Sequence, residues 1–136
     1  MRKINTLIIE EKVYEAALKA GINLTPACKS ALIDARNAES GATEFALDAL
    51  IENSEVAVRE NMPVCQDTGV AVVMLEIGQG VFLEGKPLKK AIDDGVRRAY
   101  ADGYFRKSVC DPVTRNNTGD NTPAFIHTEI TEGENI

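Results

Sequence analysis

Tryptophan is missing from this chain, histidine occurs once, and aromatic residues of all kinds make up 5% of it. The three cysteines, Cys28, Cys65 and Cys110, are an odd number with no CxxC spacing, which argues against a disulfide framework and points to reduced thiols. Positive charge is the minority sign, with 15 Lys and Arg against 21 Asp and Glu and a net charge of −6. A nucleic-acid or anionic-membrane partner would ordinarily demand the opposite balance, so neither is expected. No apolar run reaches the length that spans a bilayer. Acidic residues interrupt MRKINTLIIEEKVYE where a signal peptide would keep its apolar segment, and the expected location is cytoplasmic. Internal repeats and low-complexity tracts are also lacking.

What is present suits a single domain. A chain of 136 residues, 44% hydrophobic and 26% charged, is long enough to bury a core without staples. The first sixty residues read as helices. Thr6 is placed to cap a helix closed by Gly21, and Thr25-Pro26 starts a second with a small-residue face of Ala27, Ala31 and Ala35. A third resumes after Ser40-Gly41, is interrupted at Asn53-Ser54, and gives way to a short helix to Glu60. Cys28 reads as a small, partly buried residue.

The pattern then changes. Val70 to Leu75 is β-branched and nearly continuous, as a central strand would be, and Val81 to Leu83 suggests a second. Pro87 opens a helix through Asp102 with Leu88, Ile92, Val96 and Tyr100 at four-residue intervals, and Ala124 to Thr131 alternates as a further strand. Gly133 reads as a turn toward another strand. The expected fold class is α+β, an amino-terminal helical segment followed by a small mixed β-sheet with a covering helix.

Three constellations could carry chemistry. Pro63-Val64-Cys65-Gln66-Asp67-Thr68-Gly69 puts a thiol, an amide, a carboxylate and a hydroxyl on a turn before a strand. Cys65 could act as a nucleophile only with His127, and one thiolate with one histidine leaves a zinc site short of ligands. A polar turn in which Asp67 and Thr68 satisfy backbone groups is the plain alternative. Arg106-Lys107-Ser108 with Arg115 could grip a carboxylate in two-pronged hydrogen bonds, or could be a solvated helix end. Asn116 to Pro123 could hold an anion or simply bond to itself, and it lacks the spacing and lysine of a P-loop.

All three stretches together resemble a known family, with Arg106-Lys107-Ser108 and Asp111-Pro112 leading into the second motif. Pro63 to Gly69 is similar to the PxCQDTG signature of the iron–sulfur hydro-lyases, the class I fumarases and L-tartrate dehydratases. Arg115-Asn116-Asn117-Thr118-Gly119-Asp120-Asn121-Thr122-Pro123-Ala124 is similar to its RxNTGDNTPA segment and Ile126-His127 to its IH. Ile51-Glu52-Asn53 and Ile77-Gly78-Gln79 also fit family positions.

The resemblance implies reversible addition of water across a carbon–carbon double bond, fumarate to malate or tartrate to oxaloacetate. It implies a [4Fe-4S] cluster held by three cysteines, with one iron left open as a Lewis acid. Cys65 would be one ligand, Gln66 and Asp67 would line the substrate site with Asp67 moving a proton, and Arg106 would hold a substrate carboxylate. The other two ligand cysteines belong to later segments; Cys28 and Cys110 do not match them. Residues 1–136 thus resemble the amino-terminal domain of an alpha subunit, apparently truncated and inactive alone. The implied partners are the rest of that subunit, a beta subunit or carboxy-terminal domain, and a dicarboxylate, with a homo-oligomer possible. The alternative is a free-standing binding or assembly module that keeps the fold without the chemistry.

Overall fold

The computed structural model describes all residues, Met1–Ile136. In chain order these form β1 (Arg2–Asn5), α1 (Thr6–Ile22), α2 (Pro26–Ala38), α3 (Ala42–Glu60), β2 (Val72–Gly78), β3 (Val81–Glu84), α4 (Leu88–Asp102) and β4 (Phe125–Thr131). The α+β class stands. The strands make two separate parallel pairs, β1 with β3 and β2 with β4, in place of one mixed sheet.

β1 has no counterpart in the sequence reading, because only Ile4 of its four residues is buried and the run is too short for an alternation to register. Its presence shifts the cap of α1. Asn5 Oδ1, not Thr6, accepts the Leu7 N–H at 2.9 Å, while Thr6 is 1% exposed and donates its hydroxyl to the Lys86 carbonyl. Thr25 caps α2 as expected, accepting from Cys28 N–H, although Cys28 itself is exposed.

α3 runs unbroken through Asn53-Ser54. Ser54 bonds back to the Ile51 carbonyl at 2.7 Å inside the helix, so the expected interruption does not occur. The helix ends where Asn61 turns left-handed and its N–H caps the Ala57 and Val58 carbonyls. α2 packs on α3 and exchanges Arg36–Asp48 and Lys29–Glu55 pairs with it, but buries no residue of its own.

The core lies between α1, α4 and the inner face of the β2–β4 pair. Ile92, Val96, Ala91 and Ala99 of α4 are fully buried, and Ile9, Ile22, Tyr100, Phe105 and Ala124 close around them. α1 and α4 cross closely because position 95 has no side chain: a Cβ there would lie 2.6 Å from the Glu10 carbonyl oxygen. Charge flanks the crossing. Lys86 reaches both Glu10 and Asp94, Arg98 reaches Glu11, and the Arg98 guanidinium lies 3.9 Å from the Tyr14 ring centroid.

β2 begins two residues later than its composition suggests, since Gly69 is held by the site described next and the ladder opens with Phe125 N–H on the Ala71 carbonyl. No helix is long and apolar enough to cross a membrane.

Candidate functional site

The carboxy-terminal end of α1 organises two site loops. The Gly21 carbonyl accepts the Val64 N–H at 3.0 Å, and Asn53 Nδ2 donates to the Val64 carbonyl at 2.8 Å, so the residue before Cys65 is tied on both sides of its peptide unit. The Phe105 ring lies over Gly21, where an added Cβ would come within 2.3 Å of it, and meets the Tyr100 ring edge-on at 5.3 Å. Phe105 is the residue before Arg106. The sequence places these segments some forty residues apart; Gly21 brings their starting points together.

A second tie is buried. Asn121 is fully enclosed, and its Oδ1 accepts from the Ser108 and Val109 N–H groups at 2.6 and 3.0 Å while its Nδ2 donates to the Gly69 carbonyl at 2.9 Å. Its φ of 62° is in the left-handed region, which Asn tolerates better than most residues. Tyr100 adds its hydroxyl, which donates to the Thr68 and Gly69 carbonyls at 3.2 and 3.3 Å. The 65–69 turn, the 106–109 segment and the 115–122 loop therefore form one assembly.

Within it, Asp67 Oδ1 accepts from Ser108 Oγ at 3.1 Å and from its own turn at Gly69 N–H, and Thr68 donates to the Arg106 carbonyl. Cys65, Gln66, Asp67 and Arg106 are all exposed, so four groups named from the sequence face solvent on two adjoining segments. His127 lies on β4 in register with Met74, and no hydrogen bond joins it to Cys65.

The 111–122 loop is self-bonded as well as tied. Asp111 accepts from the Thr114 N–H, the Thr114 hydroxyl and the Val113 N–H, which together hold its carboxyl below the usual carboxylate range. Asp120 is partly desolvated, which pushes its pKa up, but Arg97 and Thr122 outweigh that and the net shift is downward. Through Arg97–Asp120 at 2.7 Å and Asp93 accepting the Ala124 N–H at 2.9 Å, α4 anchors the far end of the loop. The self-bonded reading of this loop is the one these hydrogen bonds describe.

Electrostatics separates the cations of the site from their neighbours. Arg97 and Arg98 on α4 are paired with carboxylates, whereas no ion pair in the structure uses Arg106, Lys107 or Arg115. In a chain of net charge −6, these three cations are left without an acidic side-chain partner. The residues that sequence reasoning did not assign a role are Asn53, Tyr100 and Asn121. Asn121 stands in the Asn116–Pro123 stretch that the sequence singled out, but nothing there distinguishes it from its polar neighbours as the residue that ties the segments together.

Among known proteins, the fumarate hydratase (Fumerase) family model matches residues 10–136. An archaeal protein of Methanocaldococcus jannaschii, provisionally named L(+)-tartrate dehydratase subunit alpha, is 36% identical over 130 residues, covering 91% of this chain and 45% of that protein. The anaerobic class I fumarate hydratase of Escherichia coli is 32% identical over 87 residues, 62% of this chain and 16% of that enzyme. The mitochondrial fumarate hydratase 1 of Leishmania major is 31% identical over 93 residues, 66% and 17% respectively. The chain spans less than half the length of these relatives. With a match over nearly its whole length, the chain belongs to the fumarate hydratase family.

Proposed function

We propose that this chain is the amino-terminal domain of an iron–sulfur hydro-lyase alpha subunit, that it supplies one face of a dicarboxylate site, and that it is inactive alone. The observation that carries the reading is the junction of the two motif segments: Asp67 bonded to Ser108, and Asn121 bridging Gly69 to Ser108 and Val109. A carboxylate, a thiol and unpaired cations are thereby displayed on one rigid assembly.

In this reading Arg106, helped by Lys107 and Arg115, holds a substrate carboxylate through charge-assisted hydrogen bonds. Asp67 moves the proton that accompanies gain or loss of water, with Ser108 and the Gly69 N–H fixing the direction of its carboxylate. Gln66, beside it, hydrogen-bonds the substrate. Substrates in keeping with the relatives' names are fumarate and tartrate.

The chain's own residues do not fit a [4Fe-4S] cluster. All three cysteines are free and exposed, and no group of three His, Cys, Asp or Glu side chains is placed to hold a metal. Cys65 can supply one thiolate, and the remaining ligands belong to the rest of the assembly.

The test is activity of the complete assembly, reconstituted with iron and sulfide without oxygen, on fumarate and tartrate. The isolated chain is expected to be inactive, and Cys65→Ser is expected to abolish turnover and cluster absorbance in the assembly. A fully active, cluster-containing Cys65→Ser enzyme would rule out the ligand role.

A further inference from the structure

Only 19 of the 136 residues are buried, and part of the apolar surface left open is gathered in one place. A groove of about 1080 Å³ runs between β1 and β2, lined by 26 residues of which 20 are hydrophobic. α1 contributes Ile9, Val13 and Ala17 to it, and α4 contributes Val96 and Tyr100. The remaining walls include residues 2–4 of β1, 72–75 of β2, Ile136, and Cys65, Asp67 and Thr68 of the site turn, which the groove adjoins, while no residue of β3 or β4 reaches it.

The hydrogen-bond ladders explain why. β1 bonds only to β3 and β2 only to β4. In a parallel ladder, alternate residues turn their peptide groups to opposite sides. Arg2 N–H donates to the Gly80 carbonyl and Phe125 N–H to the Ala71 carbonyl. Arg2 and Ile4 therefore serve β3, and Ala71, Val73 and Leu75 serve β4. The peptide groups of Lys3 on β1, and of Val72, Met74 and Glu76 on β2, turn to the side where no strand lies. Two open edges thus border one apolar groove.

We propose that this groove is a strand slot. One predominantly apolar β-strand, supplied by the part of the family's polypeptide that this chain does not span, inserts between β1 and β2. It joins the two pairs into a five-stranded sheet in the order β3, β1, inserted strand, β2, β4. A strand takes about 4.8 Å across the sheet, about 10 Å through it and about 3.3 Å per residue, so the groove accommodates roughly seven residues.

Three observations select this occupant. The M. jannaschii relative is more than twice as long as the stretch matched, since 45% of it is covered. The outer face of the same pair carries Val72, Met74 and Phe125 at 57%, 81% and 64% exposure, and parallel sheets are normally covered on both faces, so edge and face call for cover by a substantial partner. A second copy would bring another charge of −6 against the first. The proposal rests on family membership and not on the hydro-lyase chemistry, so its failure is read separately from that of the activity assay.

The experiment is hydrogen exchange by NMR on the 136-residue chain, alone and mixed with a recombinant fragment. The fragment is the part of the M. jannaschii alpha subunit outside the matched residues. The amides of Lys3, Val72 and Met74 are expected to slow by ~100-fold or more on mixing, with those of α2 unchanged. Unchanged exchange at these amides, or protection confined to residues 65–69 and 106–121, would overturn the slot. So would equal protection of the chain alone as its concentration is raised, which would give the groove to a second copy. Ala16→Glu, at an exposed position of α1 that lines the groove, is expected to leave the melting temperature within about 2 °C and to abolish the protection. Wild-type protection in that variant would also overturn the proposal.

Discussion

Asn121 Nδ2 donates to the Gly69 carbonyl across 52 positions of sequence, at 2.9 Å and out of contact with solvent. Its other end holds two consecutive N–H groups of the segment that contains Ser108. One side chain therefore sets the distance between the Asp67 turn and the Arg106 segment.

Asn121→Ala is predicted to destabilise the chain by about 3 kcal/mol, because it leaves two amide N–H groups and a carbonyl without their partner and each buried unsatisfied group costs roughly 1–3 kcal/mol. Tyr100 still serves Gly69, which keeps the loss below the simple total. Urea denaturation measures it; a change under about 0.5 kcal/mol would show that the tie is dispensable.

Gly21→Ala is predicted to cost about 1–3 kcal/mol, since the new methyl would sit 2.3 Å from Phe105 Cζ. Part of that loss should return in Gly21→Ala with Phe105→Leu, where the shorter side chain yields space. Independent, additive effects in the double mutant would disprove the contact as the cause.

Arg106→Gln should leave stability within about 0.5 kcal/mol of wild type, because the guanidinium is exposed and takes part in no ion pair. In the complete assembly the same change should weaken dicarboxylate binding by roughly 10- to 100-fold, the scale of one charged hydrogen bond. Wild-type KM values for both diacids would remove Arg106 from the substrate site.

Acid should loosen the α1–α4 contact through Asp94. Lys86, then Lys90 and Arg97, hold its carboxyl down to about 2 in the folded chain against a raising effect of burial. An unfolded Asp titrates at about 3.9. The folded pKa is the lower one, so this contribution is fully present above about pH 4 and is lost as pH falls toward about 2. Asp94→Asn should be less stable at pH 7 and show a shallower decline over that window; a decline identical to wild type would place the acid sensitivity elsewhere.

The helices were the legible part of the fold. Thr25-Pro26 and Pro87 mark helix starts through local backbone chemistry that distant contacts did not override, and α2 and α4 begin where those residues put them. β1 was not legible, since four residues with a single buried side chain carry no periodicity, and its partner β3 lies about eighty positions away. The break expected at Asn53-Ser54 failed for a similar reason: Ser54 is a weak helix residue in isolation, but it is 5% exposed and bonded within α3.

The sequence by itself determined which chemical groups are present and the two motif segments that carry them, because a thiol, a carboxylate and their neighbours are written in consecutive positions. Only the tertiary structure decided that these segments meet. Gly21 admits Phe105 and holds Val64, and Asn121 bridges 69 to 108, through contacts that depend on how α1 crosses α4 and on no local preference. The same packing left Lys3 and Met74 on open strand edges, a feature that strand propensity cannot reveal because pairing depends on which strands are brought alongside.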